Sequence, residues 1–272
     1  MIYEKDLNIY HDTLEISKEL NDYQRDSATI TFVTGSLLHI GLYKPFSAVY
    51  AELITKNINA INLSFSYYNG TDFTTKLPFT VDETNTFERS GFIKWNKPKD
   101  WVPTEVNGDN LYWIQLAVDS DMTETEIRAI NILFSNDNEL KKELSTVDKY
   151  LPPNENSFAP MHSTVRDDIV QSLRNRGKAK IADGDNTLSL ITKWDLLDIA
   201  EVWTAAKYFA LEKIFFQASD GVDDKWQQRQ AQMSQEGNKA FDLLFLSLDT
   251  NDDGKEDAVE KLSMQSITVL RV

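Results

Sequence analysis

The sequence predicts an α+β chain of two domains: an antiparallel β-sandwich over residues 1–140 and a helical domain over residues 161–272. Three observations predict this class. Short apolar segments with a period of two fill the first half, and apolar residues spaced by three and four fill the second. Between them, Pro152-Pro153 interrupts regular structure, since proline lacks the amide proton that helices and sheet ladders need. Residues 141–160 are therefore predicted to link two domains, a number that a length of 272 residues also favours.

The β-sandwich is predicted from six short segments rich in β-branched and aromatic residues: 28–34, 48–53, 60–68, 91–95, 111–118 and 127–134. In residues 61–67, apolar and polar side chains alternate, which places them on opposite faces of a strand. Asn69-Gly70 and Asn107-Gly108 supply the residue types that tight turns need. About six to eight strands at such spacing are typical of two antiparallel sheets packed face to face.

The helical domain is predicted to hold three helices and an extended C-terminal arm. Thr164 is the expected N-cap of a helix over 165–175, and Thr192 is that of a second helix over 193–218. The wide apolar stripe of the second helix predicts burial on more than one side. A third helix over 223–247 returns along it as an αα-hairpin. Residues 263–272 form the arm and alternate like a strand, although their own domain offers no sheet.

The charge balance limits the classes of partner. The chain has 43 acidic and 28 basic residues, and a net charge of −15 repels nucleic-acid phosphates at long range. The densest basic group contains Arg166, Arg174 and Arg176; it is interleaved with aspartates and is typical of a solvated helix face. Zero cysteines exclude disulfides and thiolate chemistry. No apolar stretch has the length of a signal peptide or a membrane span, so we expect assembly in a cytoplasm without a membrane partner.

The strongest local motif resembles a calcium-binding loop. Its candidate ligands occupy positions 1, 3, 5, 7, 9 and 12 of the loop: Asp249, Asn251, Asp253, Lys255, Asp257 and Glu260. Gly254 stands at position 6, where such loops turn sharply. Glu256 departs from the pattern, because position 8 is usually aliphatic. The sequence therefore predicts either a structural Ca²⁺ site, the one cofactor it suggests, or an acidic surface turn after the third helix.

Catalytic signatures are absent from the sequence. The three histidines are far apart, and nucleophile elbows, dinucleotide loops and phosphate loops do not occur. We therefore expect no enzyme, and a hydrolase that uses paired carboxylates is the weakest alternative. Most aromatic residues of the first domain are expected in its core. Tyr68 and Trp101 are the candidates for exposed rings that stack on sugars.

Two stretches resemble proteins of tailed bacteriophages. The first is carried by residues 44–50, 67–73, 90–95, 98–101 and 107–114, and it resembles a carbohydrate-binding-like β-sandwich module of phage virion proteins. The second covers residues 163–257, with 191–198, 205–211 and 223–226 as its motifs, and it resembles helical head–tail adaptor proteins. The fused sandwich and the calcium-like loop depart from a minimal adaptor.

The second resemblance implies a structural protein of the virion neck. Such adaptors form a homo-oligomeric ring, commonly of twelve copies, that docks beneath the portal protein, contacts other neck and tail proteins, and lets DNA pass without binding its sequence. The predicted interface residues are Arg166, Arg174 and Arg176 together with Ile267, Val269 and Leu270 of the arm. The arm is expected to add a strand to the portal or to an adjacent subunit. The alternative is a glycan-binding tail-fibre or surface-adhesion protein that uses the β-sandwich.

Overall fold

The computed structural model describes residues 6–23, 27–78, 80–153, 155–181, 188–219, 225–249 and 261–263. The chain divides into two compact units, Met1–Ile132 and Leu133–Val272. The described residues combine α-helices with antiparallel sheets, so the α+β class predicted from the sequence is confirmed. The division falls earlier than residues 141–160, where the sequence predicts a linker.

The described part of the first unit contains two antiparallel sheets and one short helix, α1 (Ser17–Leu20). The strands are β1 (Asn8–His11), β2 (Leu14–Glu15), β3 (Ala28–Ile30), β4 (Leu37–Leu42), β5 (Ala48–Thr55), β6 (Leu63–Tyr67), β7 (Thr75–Lys76), β8 (Val81–Asp82), β9 (Gly91–Lys94), β10 (Thr104–Val106), β11 (Asp109–Val118) and β12 (Thr125–Asn131). The larger sheet has the order β2-β1-β4-β11-β6-β7, with β10 paired to β11. The smaller sheet has the order β3-β12-β5-β9-β8.

Each of the six predicted strand segments contains a strand, but β1 and β4, two neighbours inside the larger sheet, lie outside those segments. From Leu38 to Leu42 every residue of β4 is buried, so this strand lacks the alternation that marks a half-exposed strand. The predicted turn at Asn107-Gly108 is confirmed. Its two residues have φ values of 51° and 96°, the left-handed pair that closes a tight hairpin between β10 and β11.

An aromatic cluster connects the two sheets of the first unit. Phe46, before β5, packs edge-to-face on Trp95, after β9, with ring centroids 5.2 Å apart; both flank the smaller sheet. Phe46 also contacts the ring of Trp101 at 5.4 Å. The Trp101 indole donates to the carbonyl oxygen of Trp113, in the larger sheet, at 3.2 Å. Residues of both sheets therefore share one buried core.

The described part of the second unit is mainly helical. Its α-helices are α2 (Asp137–Glu143), α3 (Ala159–Asn175), α4 (Ala200–Ala218) and α5 (Lys225–Asp242), with 3-10 turns at Val147–Tyr150 and Lys193–Asp195. Two short antiparallel ribbons join β13 (Ala179–Ile181) to β14 (Leu188–Leu190) and β15 (Phe245–Ser247) to β16 (Lys261–Ser263). Strand β15 also explains why α5 stops before residue 247, the end predicted from its helical spacing.

Residues 141–160 belong to the helical unit instead of linking two domains. Val147 is fully buried, and Phe158 is 1% exposed. Tyr150 packs edge-to-face on Trp226 of α5, with ring centroids 5.0 Å apart. Pro152-Pro153 does interrupt regular structure, but the chain on both sides of it packs on the same helices.

The helix starts in this unit depend on side chains that meet only in the fold. Helix α3 begins at Ala159, before the predicted start at residue 165, because Asp137 accepts a hydrogen bond from the amide of Phe158 at 3.1 Å. Thr192 is a cap as predicted, but it caps the 3-10 turn through a reciprocal pair with Asp195. Helix α4 follows at Ala200. Its contacts with α2, α3, α5 and β15 confirm its predicted burial on more than one side.

Candidate interaction surfaces

A row of polar side chains crosses the larger sheet of the first unit. Its members lie directly opposite one another on successive strands: Glu15, Tyr10, His39, Gln115, Ser66 and Lys76. Their neighbours along the strands, such as Ile40 and Ile114, are fully buried and point to the other face. The polar row therefore occupies the face of the sheet that is turned away from the apolar core.

Hydrogen bonds order the middle of the polar row. Gln115 Nε2 lies 3.0 Å from His39 Nε2, and the Tyr10 hydroxyl donates to Asp109 at 2.6 Å. The bond to Asp109 and burial raise the pKa of Tyr10 to about 12. Burial lowers the pKa of His39, against the weaker opposing effect of the Asp12 charge. Both side chains are therefore neutral at pH 7, between the charges of Glu15 and Lys76 at the two ends.

Aromatic rings border the polar row on one side. Trp113 is fully buried against the backbone of Gly41, and its indole donates to the carbonyl oxygen of Thr104 at 3.0 Å. Beyond it, Tyr68 and Phe73 are half-buried, with ring centroids 5.4 Å apart. The structure thus places the candidate stacking residue Tyr68 at a partly open surface.

Trp101, the other candidate for stacking on sugars, lies in the core instead. Its side chain is buried, with 6% of the residue exposed, and its ring packs against Phe46, Tyr67 and Tyr112. The indole N–H, which needs a partner when buried, finds one inside the domain at the carbonyl oxygen of Trp113. The prediction of an exposed Trp101 ring is therefore wrong.

The three arginines predicted at a subunit interface make contacts inside the helical unit. Arg166 is 5% exposed and pairs with Asp167 at 2.8 Å. Arg174 donates to the carbonyl oxygen of Ile191 at 2.6 Å. Arg176 pairs with Asp242 at 2.7 Å, and its guanidinium lies over a ring of α5. Arg166 is buried, and the contacts of Arg174 and Arg176 connect the end of α3 to Ile191 and α5, so the three arginines do not form the common solvated face that their spacing predicts.

The calcium-like loop lies mostly outside the described residues. Of its candidate ligands, Asp249 is described: it is fully buried, and its amide donates to the carbonyl oxygen of Asp195 at 2.7 Å. The remaining candidates lie outside the described residues: Asn251, Asp253, Lys255, Asp257 and Glu260. Within the described ranges, no group of three metal-binding side chains occurs. The Ca²⁺ site therefore stays a prediction.

The predicted arm begins inside the helical unit. Ser263 belongs to β16 and lies opposite Phe245 of β15, so the first residue of the arm has a strand partner in its own unit, contrary to the prediction. Ile267, Val269 and Leu270, the predicted arm contacts, lie outside the described residues.

A serine, a histidine and an aspartate form a buried network at the start of the helical unit. His162 Nδ1 lies 2.7 Å from Ser135 Oγ, and its Nε2 lies 3.1 Å from Asp137 Oδ1. Catalytic triads connect these groups through the opposite ring nitrogens. Ser135 is also fully buried, so its hydroxyl offers no surface to a substrate. The network is thus a structural device, and His162 is a buried histidine with a partner at each ring nitrogen.

Helix α5 exposes a stripe of uncharged amide side chains. Gln228, Gln232, Gln235 and Asn238 are all exposed and recur at spacings of three and four, which defines one helix face. We call these four residues the amide stripe. The whole helix has three basic and two acidic residues, a net charge of +1 in a chain of −15. The stripe is therefore an exposed surface with little negative charge.

A groove of about 450 Å³ runs between α3 and α5, with α4 as its floor. The lining is apolar at Ile169, Phe209 and Phe216, polar at Ser172, Gln230, Ser234 and Asn238, and charged at Asp168, Glu212 and Lys213. Asp168 and Lys213 neutralise each other across 2.8 Å. Phe216 is 66% exposed at the edge of this groove.

Comparison of the chain with known protein families, with curated proteins and with solved structures finds no match. Among the described residues, no helix is both long and apolar enough to span a membrane.

Proposed function

We propose that the chain is a structural virion protein of a tailed bacteriophage, a head–tail adaptor without enzymatic activity. Twelve copies form a neck ring between the portal protein and the tail, contact other neck and tail proteins, and surround the DNA channel. The first unit, whose sheets share a core, is a β-sandwich that projects from this ring. The sequence resemblance over residues 163–257 supports the helical unit as the ring-forming part.

The amide stripe is the observation that carries this proposal. Copies of a chain with a net charge of −15 repel one another, so they associate most readily where the surface has little negative charge. Helix α5 provides such a surface, and its amide groups both donate and accept hydrogen bonds across an interface. The acidic remainder of each copy keeps the DNA passage repulsive to phosphates, so that DNA moves through it without being held.

Charges added to the amide stripe should dissociate the assembly. In the double variant Gln228→Glu and Gln235→Glu, like charges from neighbouring copies meet at the interface, while helix propensity is nearly unchanged. We expect the dissociation constant between copies to rise about tenfold or more. The measurement is the mass of the full chain by light scattering over a range of concentrations.

The matched control places the same number of charges elsewhere. Asn110 and Gln171 are exposed and lie on β11 and α3, so Asn110→Asp with Gln171→Glu should leave the mass unchanged. If both double variants assemble as the wild type does, the stripe is not the interface. If both dissociate equally, net charge alone governs association.

Glycan binding by the first unit is the second candidate function, and the polar row favours it. Neutral hydrogen-bonding groups next to the partly open rings of Tyr68 and Phe73 suit a sugar, which has hydroxyl groups and an apolar ring face. On a glycan array, Tyr68→Ala should abolish any binding that the wild type shows. Trp101→Phe, a change in the core, should retain it. Wild-type protein that binds no glycan contradicts this candidate.

A further inference from the structure

We propose that the amide-stripe side of α5 in one copy docks in the groove between α3 and α5 of the next copy. In this contact Lys239 of the first copy pairs with Glu212 of the second, and Leu243 of the first covers Phe216 of the second. The contact presupposes the self-association of the chain proposed above, and it identifies the surface that receives the amide stripe. Three observations support it: a carboxylate in the groove that lacks an ion pair, equal spacings on two helices, and the positions of the two surfaces on α5.

The groove contains a carboxylate whose charge is not neutralised. Asp168 and Lys213 pair across 2.8 Å, which leaves Glu212 as the one remaining charge of the lining. Glu212 is half-buried, and it has no ion pair with any residue that the structure describes. Because water screens a partly buried charge less than an exposed one, a basic side chain from another molecule is attracted strongly to this position.

The groove also offers an apolar contact close to this carboxylate. Phe216 is 66% exposed and follows Glu212 by four residues, so both side chains lie on the same side of α4, one turn apart. A matching partner therefore presents a cation and an apolar side chain at the same separation. This is the pattern by which one helix docks in a groove of another molecule.

The exposed side of α5 presents this combination. Lys239 is exposed, follows Gln235 by four residues and therefore continues the amide stripe. Like Glu212, it has no ion pair within the described parts of the chain. Leu243 is 57% exposed, and its amide donates to the carbonyl oxygen of Lys239 at 3.2 Å, as in a helix. Lys239 and Leu243 therefore lie on one side of α5, one turn apart.

The two pairs of residues match when α5 of one copy lies parallel to α4 of the next. Lys239 then lies opposite Glu212. One turn further, Leu243 lies opposite Phe216, since four residues rise about 6 Å on either helix. The contact joins a cation to an anion and covers two exposed apolar side chains at once.

The donating and receiving surfaces lie on nearly opposite sides of α5. Ser234 lines the groove, whereas Gln232 of the amide stripe lies about 200° from it round the helix. Two copies therefore cannot fill each other's grooves at the same time, and each copy donates to one neighbour and receives from another. Such head-to-tail contacts build rings or filaments instead of two-fold dimers.

Reversed charges test the contact in the full chain. Lys239→Glu and Glu212→Lys each place like charges opposite one another, so each variant alone should raise the dissociation constant between copies about tenfold or more. An equimolar mixture of the two variants should assemble as the wild type does, because alternating copies join opposite charges at every contact. The measurement is the mass by light scattering over a range of concentrations, and recovery in the mixture also shows that both variants are folded.

Lys149→Glu is the matched control for Lys239→Glu. It changes the net charge by the same amount at an exposed lysine of the helical unit that lies outside the contact. The mass of this variant should equal that of the wild type. If it dissociates as Lys239→Glu does, net charge governs association and the assigned contact is wrong.

The remaining outcomes separate the contact from the neck ring. Wild-type assembly that neither reversal weakens, or a mixture that does not recover, would overturn the contact and leave the ring intact. A wild type that is monomeric at every concentration would contradict both. Recovery in the mixture as open filaments, without closed rings, would support the contact and contradict the ring.

Discussion

Replacing Gly41 with alanine should destabilise the first unit by about 2 kcal/mol. Alanine is normally the better residue in a strand, because glycine loses more backbone entropy on folding. At this position a Cβ atom would lie 2.4 Å from the ring of Trp113, which is fully buried, so the ring must move. The measurement is urea unfolding, followed by hydrogen exchange of amides in β1, β4 and β11.

A double-mutant cycle identifies the cause. Trp113→Ala alone should cost about 3–5 kcal/mol, because it removes a buried indole and leaves a cavity. In that background Gly41→Ala should cost almost nothing, since the clash is gone. If Gly41→Ala destabilises both backgrounds equally, the close approach of Trp113 is not the reason for the glycine.

Replacing His162 with alanine should destabilise the helical unit by about 3 kcal/mol. The change leaves a cavity and removes the partner of the buried Ser135 hydroxyl. Asp137 also loses a partner while it accepts the amide of Phe158 at the start of α3. Hydrogen exchange should therefore increase first in α3, and the urea midpoint should fall.

The matched control is an exposed contact of α2. Lys142 pairs with Glu139 at 2.6 Å, but its side chain is 72% exposed. Lys142→Ala should change the free energy of unfolding by less than about 0.5 kcal/mol, because solvent screens such pairs. If Lys142→Ala lowers the free energy of unfolding as much as His162→Ala does, the buried network does not stabilise the unit more than an exposed ion pair.

The class of fold follows from the sequence because both periodicities are strong. The six strand segments and the central helix α4 are clear from apolar spacing alone. Strands β1 and β4 are missed for opposite reasons: β4 is buried on both faces, and β1 is short and polar at both ends, Asn8 and His11. Since the polar row needs both strands, no pattern in the sequence brings Tyr10, His39 and Gln115 together.

The linker and the arginines show where local patterns mislead. Pro152-Pro153 marks an interruption of regular structure, but an interruption is a domain boundary only where few contacts cross it. Val147 and Tyr150 make those contacts within the helical unit. The sequence likewise shows that Arg166, Arg174 and Arg176 are charged, but it does not show their contacts. Arg166 pairs with a carboxylate, Arg174 donates to a carbonyl oxygen, and Arg176 lies over an aromatic ring. The partners of Arg174 and Arg176 are distant in sequence, and the burial of Arg166 beside its neighbour Asp167 appears only in the fold.

Electron microscopy of the purified full chain tests the central claim most directly. A chain that forms the neck ring should appear as closed rings of uniform diameter, with twelvefold symmetry in averaged end-on views. Rings should disappear in the variant with Gln228→Glu and Gln235→Glu and persist in the variant with Asn110→Asp and Gln171→Glu. Monomers or trimers at all concentrations would contradict the ring. If the same protein also binds glycans through the face of Tyr68, glycan binding becomes the better account.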